Sequence, residues 1–359
     1  MSQSSFARAA EIASVLRPLS PDYAPTPLLD LKSLAARLGV AQVLAKDEGR
    51  RMLGSFKSLG GTYAGLAALA RQQGIGIADL VKQRNDKSKT RVNALSDLPQ
   101  LICASDGNHG LAVAAAARLA GAACQVFLHA GVPVARAQRI EAQGAAIVRV
   151  AGTYDDSVDA AAAFAKANAS ILIDDTTPDP DAPIVRDVMA GYGVIAHEVR
   201  QQVEAAAYAR PTHVFVQAGV GGLAAAMAEG VAGWMAPPGR IVAVEPETCA
   251  CITAAFAQGR VTRIAGDLAT AAEMLACGEA SAPAFAILRD AGAAVVTVSE
   301  RALEDAPALL RATGGPDTTP SGATGLAGLA RVCGDHAKAA QLGLGADSRV
   351  LLVISEAAL

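Results

Sequence analysis

Residues 211–230 read PTHVFVQAGVGGLAAAMAEG, and the parsing of this stretch decides the fold. Residues 211–228 contain no Asp, Glu, Lys or Arg and approach the length of a membrane span. Gln217 and the glycines at 219, 221 and 222 interrupt the run near its middle. The apolar residues therefore divide into a strand, THVFVQ, a glycine turn and an alanine-rich helix.

The same rhythm recurs on either side. Runs rich in β-branched residues lie at 43–48 (VLAKDE), 101–105 (LICAS), 124–129 (CQVFLH), 145–150 (AAIVRV) and 170–175 (SILIDD). They resume at 240–246 (RIVAVEP), 293–299 (AAVVTVS) and 350–355 (VLLVIS), with Ala/Leu helices such as 302–312 between them. Strands this apolar, alternating with helices, predict parallel sheets covered on both faces, an α/β protein. Two stretches break the rhythm: 82–100, dense in charge, and 176–184, with three prolines. Four strands lie between the breaks. The expected organisation is a large domain from 1–99 and 181–359, with residues 100–180 as a smaller inserted α/β domain.

Of the 359 residues, 52% are hydrophobic and 18% charged, enough apolar material for two cores. A formal net charge of −3 gives no footprint for nucleic acid or an anionic membrane, so a small molecule is the expected partner. The N-terminal MSQSSFARAAEIAS lacks the apolar core of a secretory signal and reads as a short amphipathic helix. Cys103, Cys124, Cys249, Cys251, Cys277 and Cys333 lie scattered without metal-ligand spacing. They are expected to be buried packing thiols in a reducing cytoplasm, and no metal is expected.

Three stretches carry chemistry. In 217–230, glycines 219, 221 and 222 sit where a strand ends and a helix begins, so backbone N–H groups and the helix terminus can hold a phosphate. The same residues satisfy GxGxxA (Gly219, Gly221, Ala224), with Glu245 closing the next strand as a dinucleotide fold requires. A dehydrogenase therefore remains a rival reading. In 104–110, ASDGNHG, exposed amides can hold a carboxylate, while Asp106, Asn108 and His109 add a titratable group, an amide and an imidazole. Taken alone, the loop reads first as an ordinary turn with His109 packed beneath it. In 55–65, SFKSLGGTYAG, Lys57 sits between an aromatic residue and two glycines. Desolvation there is expected to lower its pKa and make the amine nucleophilic. A phosphate loop, a carboxylate loop and such a lysine together describe a site for pyridoxal phosphate.

SFK at 55–57, DGNHG at 106–110 and GVGGL at 219–223, in this order after PTPL at 25–28, resemble the fold-type II pyridoxal-phosphate enzymes, the tryptophan synthase β family. DGNHG, QAGVGG, EPETCACI (245–252), GDLATAAEMLACGE (266–279), SGATGLAGLA (321–330) and VLLVIS are similar to the diaminopropionate ammonia-lyases within it. The resemblance implies two parallel-sheet αβα domains and a homodimer. It implies Lys57 as the Schiff-base lysine, Asn108 on the cofactor's ring hydroxyl, Gly219, Val220, Gly221, Gly222 and Leu223 around its phosphate, and Ser355 against the pyridine nitrogen. A serine there, unlike an aspartate, does not keep the nitrogen protonated, which favours elimination over transamination.

The same resemblance makes Asp106 and Asp175 active-site carboxylates, Asp106 facing the cofactor opposite the lysine. Ser105, Asp106, Gly107 and His109 are expected to bind the substrate. The implied reaction is α,β-elimination from 2,3-diaminopropionate through aminoacrylate to pyruvate and ammonia. Lys57 would take the Cα proton of an L-substrate and Asp106 that of a D-substrate. A serine-, threonine- or hydroxyaspartate-type dehydratase is the neighbouring possibility, and a binding-only module a third. The sequence departs from the family pattern at Pro320, where relatives tend to have glutamate, and at SEAAL (355–359), which replaces STEG.

Overall fold

A computed structural model of the chain describes residues 3–19, 23–85, 98–105 and 107–358. Ten strands are present among these: β1 Leu28–Asp30, β2 Gln42–Asp47, β3 Leu101–Ala104, β4 Cys124–His129, β5 Ala146–Val150, β6 Ile171–Leu172, β7 His213–Gln217, β8 Arg240–Pro246, β9 Ala294–Val298 and β10 Arg349–Ile354. They form a six-stranded sheet in the order β1-β2-β10-β7-β8-β9 and a four-stranded sheet in the order β5-β4-β3-β6. The neighbours pair in parallel, as the apolar runs predict, except that the edge strand β1 runs antiparallel to β2. β1 is three residues long, too short to leave a periodic signal.

Side-chain alternation shows why the central strands read as unbroken apolar runs. Val214 and Val216 of β7 join Leu351 and Val353 of β10 in one core, while Phe215, Val350 and Leu352 point into the other. Both faces of the large sheet are thus dry. The small sheet sends Leu101, Cys103, Val126 and Leu128 into the first core and buries Ile102, Ala104 and Phe127 beneath Ala161 and Ala165. The stretch at 82–100 is only in part the excursion expected, because the helix Ile77–Asn85 runs into it; residues 86–97 lie outside the described residues. The second break ends where Pro183 opens the helix Pro183–Ala205, a position that needs no N–H donor. No helix among the described residues is long and apolar enough to cross a membrane.

The helix Lys57–Gln73 packs on the helix Asn108–Ala120 and on Pro183–Ala205. The two glycines after Lys57 serve this packing. A Cβ on Gly60 would lie 2.3 Å from Tyr192 Cε1, and one on Gly61 2.7 Å from Ala112 Cβ. Beneath the loop leading to Lys57 is a buried ionic cluster. Lys46 Nζ donates to Glu198 Oε2 (2.6 Å), the Thr26 carbonyl (2.7 Å) and Gln202 Oε1 (2.9 Å). Arg51 donates to Glu48 (2.7 and 2.8 Å) and to Glu198 (2.7 and 2.9 Å). Two cations face two carboxylates, so the cluster is neutral and its donors are satisfied.

Candidate active site

The carboxyl ends of strands from both sheets open onto one cavity of about 820 Å³, counting its open mouth. This is where parallel sheets commonly bind ligands, since strands end there and helix N-termini begin. The helices Lys57–Gln73, Asn108–Ala120 and Gly222–Val231 start with a residue that lines it, and the helix Pro320–Cys333 contributes Ser321, its second residue. Four N-terminal partial positive charges converge on the space, a setting for an anionic ligand.

Lys57 Nζ forms an ion pair and hydrogen bond with Asp175 Oδ2 inside this cavity. The lysine side chain is 21% exposed and the aspartate 10%. Burial works against the ammonium, but the charge and hydrogen bond of Asp175, with smaller contributions from Tyr192 and Cys277, together outweigh it, and Lys57 lies above the ordinary lysine range. The sequence-based expectation of a lowered pKa is thereby corrected: a carboxylate 118 residues away in sequence supplies the dominant charge. For Asp175 burial favours the neutral acid, while the Lys57 ammonium, by charge and hydrogen bond, holds it down to about 2. Asp174 beside it is pushed up to about 7 by burial and by the Asp175 charge. The Tyr192 hydroxyl meets no partner in hydrogen-bond geometry. Burial raises its pKa, opposed by the nearby Lys57 ammonium.

Of the ASDGNHG loop, Asp106 lies outside the described residues. Ser105, Gly107, Asn108 and His109 line the cavity. Ser105 Oγ accepts the amides of Gly107 (2.9 Å) and Gly110 (2.8 Å), holding the turn closed from beneath. Gly107 takes φ 146°, a conformation open to glycine. His109 Nε2 donates to the Ile173 carbonyl at 2.7 Å, which leaves Nδ1 as an unprotonated acceptor 4.0 Å from Asp175. Burial lowers the His109 pKa, so the ring is neutral.

Gly219, Val220, Gly221, Gly222 and Leu223 line the opposite wall. Among the described residues the amides of Gly219, Val220 and Gly221 donate to no backbone carbonyl. Gly221 has φ 97°, and a Cβ there would lie 2.9 Å from Ile252 Cδ1. The turn therefore presents bare N–H groups that a side chain would obstruct. Glu245 has a different task from the one a dinucleotide fold would give it. Fully buried, it accepts from the Ile252 amide (2.7 Å), the Thr253 amide (2.9 Å) and Thr253 Oγ1 (2.7 Å), capping the helix Cys251–Gln258. It does not line the cavity, and the dehydrogenase reading loses its ribose contact.

Ser355 directly follows β10 at the cavity, 4% exposed. Sequence reasoning missed Tyr192, Tyr154, Gln217, Met274, Leu275, Ser321 and Glu356 as lining residues. Gln217, Met274, Leu275 and Ser321 lie in or beside the quoted motif blocks, whereas Tyr192 sits mid-helix and left no local signal. Cys277, expected to be a packing residue, also faces the cavity.

The residues present fit pyridoxal phosphate. The turn offers free amides to a phosphate, the lysine offers an amine, and Tyr192 Oη, His109 Nδ1 and Gln217 Oε1 are buried polar atoms without a partner, all on residues lining this one cavity.

Comparison with known proteins agrees with the geometry. The sequence model of the family described as pyridoxal-phosphate dependent enzyme matches residues 19–356. The chain is 32% identical to the diaminopropionate ammonia-lyase of Escherichia coli (strain K12) over 320 residues, 86% of this chain and 78% of that protein. The crystal structure of holo diaminopropionate ammonia lyase from Escherichia coli superposes with a TM-score of 0.87 at 28% identity, covering 99% of this chain and 91% of that one. The same enzyme in complex with an aminoacrylate-PLP azomethine reaction intermediate gives 0.84 at 29% identity, covering 99% and 89%.

Proposed function

The chain belongs to the pyridoxal-phosphate dependent enzyme family, and from that premise we propose that it is a carbon–nitrogen lyase eliminating ammonia from 2,3-diaminopropionate to give pyruvate. The observation that carries this reading is the Lys57–Asp175 pair, set in one cavity with the glycine turn 219–223 and Asn108. Gly219, Val220, Gly221, Gly222 and Leu223 would hold the cofactor's phosphate, Lys57 its carbonyl carbon, Asn108 its ring hydroxyl and Ser355 its ring nitrogen. When bound, pyridoxal phosphate supplies the electron sink that allows a Cα proton and a β-substituent to leave.

The chain's own groups handle protons and charge. Lys57 Nζ, freed of its proton, is the base for the Cα hydrogen of an L-substrate, and Asp106, on the sequence argument, for that of a D-substrate. Asp175, held near 2, stays ionised and serves as the counter-charge for the substrate's second ammonium rather than as a proton donor. Ser105, Gly107 and His109 present neutral polar groups to the substrate, and the bare helix N-termini suit its carboxylate. Ser355 offers a hydroxyl and no charge, so it does not hold a proton on the ring nitrogen.

Six cysteines, none in a disulfide, support a reducing, cytoplasmic setting, and the family resemblance supports a homodimer, which light scattering of the purified protein tests. The separate four-stranded sheet supports treating 100–180 as an inserted domain in the large domain of 1–99 and 181–359. For the activity, one sample of cofactor-loaded protein is reduced with borohydride and digested, and a second, unreduced sample is offered D- and L-2,3-diaminopropionate and D- and L-serine. A cofactor on the Lys57 peptide with pyruvate from diaminopropionate supports the proposal. Pyruvate from serine alone would make the chain a dehydratase.

A further inference from the structure

Glu356 is a carboxylate the elimination leaves without a task, although it lines the same cavity and is only 8% exposed. Both of its oxygens accept hydrogen bonds, Oε1 from the Thr319 hydroxyl and Oε2 from Asn108 Nδ2. Thr319 Oγ1 also accepts from the Gly322 amide at 3.0 Å, so its single hydrogen goes to Glu356. The Glu356 backbone is fastened as well. Its carbonyl accepts from Thr318 Oγ1, and it forms an antiparallel bridge with Ser55, two residues before Lys57. The Phe56 amide donates to the Ser355 carbonyl (3.1 Å), and the Ala357 amide to the Gly54 carbonyl (3.0 Å). Glu356 thus ties the first residue of the helix Asn108–Ala120 to the end of β10 and to the loop that carries Lys57.

An amide has two ends of nearly the same shape, and its neighbours decide which faces where. A carboxylate can only accept, so Asn108 must turn its NH₂ toward Glu356, leaving the second Nδ2 hydrogen uncommitted. Burial pushes the Glu356 carboxyl up, and the hydrogen bonds from Thr319 and Asn108, with the charges of Arg136 and Lys57, favour its ionised form. We propose that Glu356 is a positioning residue that fixes the Asn108 amide so that its remaining hydrogen is presented to the ring oxygen of pyridoxal phosphate. This rests on the reading that places the cofactor in this cavity beside Asn108.

The test uses full-length protein reconstituted with pyridoxal phosphate and reads the visible absorption band and the cofactor dissociation constant, not turnover. Glu356→Ala is expected to move the band in the same direction as Asn108→Ala and to weaken cofactor binding about tenfold. The double variant should match Asn108→Ala alone. Glu356→Gln, whose Oε1 can still accept from Asn108, should keep the native band and bind within about threefold of the native protein. Thermal melting of each variant separates these effects from loss of fold, and the glutamine variant keeps the test open if the alanine variant unfolds.

An unchanged band in Glu356→Ala beside a shifted one in Asn108→Ala would overturn the proposal. So would additive shifts in the double variant, or a glutamine variant that behaves like alanine. If native protein bound no cofactor at all, the underlying reading would fall first, and that outcome is distinguishable from the others.

Discussion

Replacing Asp175 by asparagine acts chiefly on the proton affinity of Lys57. In the native chain burial disfavours the ammonium, the Asp175 carboxylate is the largest influence favouring it, and the lysine lies above its ordinary range. Asparagine keeps the size and an acceptor oxygen and removes the charge. Two unit charges about 3 Å apart in an effective dielectric near 20 interact by about 5 kcal/mol. At ~1.4 kcal/mol per pH unit this amounts to as much as about 4 units. With the charge gone, burial becomes the dominant influence, so the Lys57 pKa should fall by at least about 2 units.

The assay is the rate at which cofactor-stripped protein takes up pyridoxal phosphate, followed by absorbance between about pH 6 and 10. Attack on the carbonyl carbon needs an unprotonated Nζ. The native rate should climb throughout this range, whereas that of Asp175→Asn should level off at lower pH. Superimposable profiles would refute the claim that Asp175 governs the lysine.

The same pair carries a stability signature. The folded Asp175 pKa of about 2 lies below its ordinary 3.8, so its contribution is present above about pH 4 and is lost as pH falls toward 2. That contribution is worth about 2 kcal/mol, and urea unfolding of Asp175→Asn should show a correspondingly weaker dependence on pH in that window. Glu198→Gln leaves Lys46 and Arg51 facing Glu48 alone, and breaking such a cluster should cost about 3–5 kcal/mol. With an unfolding entropy of ~0.75 kcal/mol/K for a chain of this length, Tm should drop by roughly 4–7 °C. Lys46→Met in the same background restores neutrality and should recover part of the loss; no recovery in calorimetry would count against the charge argument. Gly60→Ala gains up to about 1 kcal/mol of helix propensity but drives a methyl into Tyr192, and overpacking of about 1–3 kcal/mol should win. Cofactor affinity should fall with it, because Tyr192 is a wall of the cavity; a stabilised variant with native affinity would show that the ring yields freely.

The α/β fold was legible because its strands are buried on both faces and stand out as continuous apolar runs. The run at 240–246 coincides with β8, and the run at 124–129 with β4. The run at 170–175 shortened to β6, Ile171–Leu172, and beyond it Asp175 turns to Lys57 in the site instead of continuing the ladder. β1 escaped notice because three half-buried residues make no period. Within the site, the glycine turn and the DGNHG loop announce themselves through residue types that backbone geometry demands. Partners that meet only in space do not. Nothing near Lys57 points to Asp175, and nothing near Asn108 points to Glu356, since each pairing is made by the convergence of the two sheets. Glu356 did leave a trace, as the departure from STEG in the final residues, but its task is visible only once Asn108 is seen beside it. Glu245 shows the opposite failure, a residue whose position in the sequence matched a dinucleotide motif while its carboxylate was committed to a helix cap.

On the proposed function, this cavity should expel an amine, not a hydroxyl, from its substrate. The most direct measurement is the ratio of ammonia to pyruvate formed by cofactor-loaded protein from 2,3-diaminopropionate, with serine run alongside. Elimination of the β-amine followed by hydrolysis releases two ammonia for each pyruvate, and that ratio is the expected result, with little or no turnover of serine. Pyruvate formed from serine with one ammonia each, and none from either isomer of diaminopropionate, would contradict it.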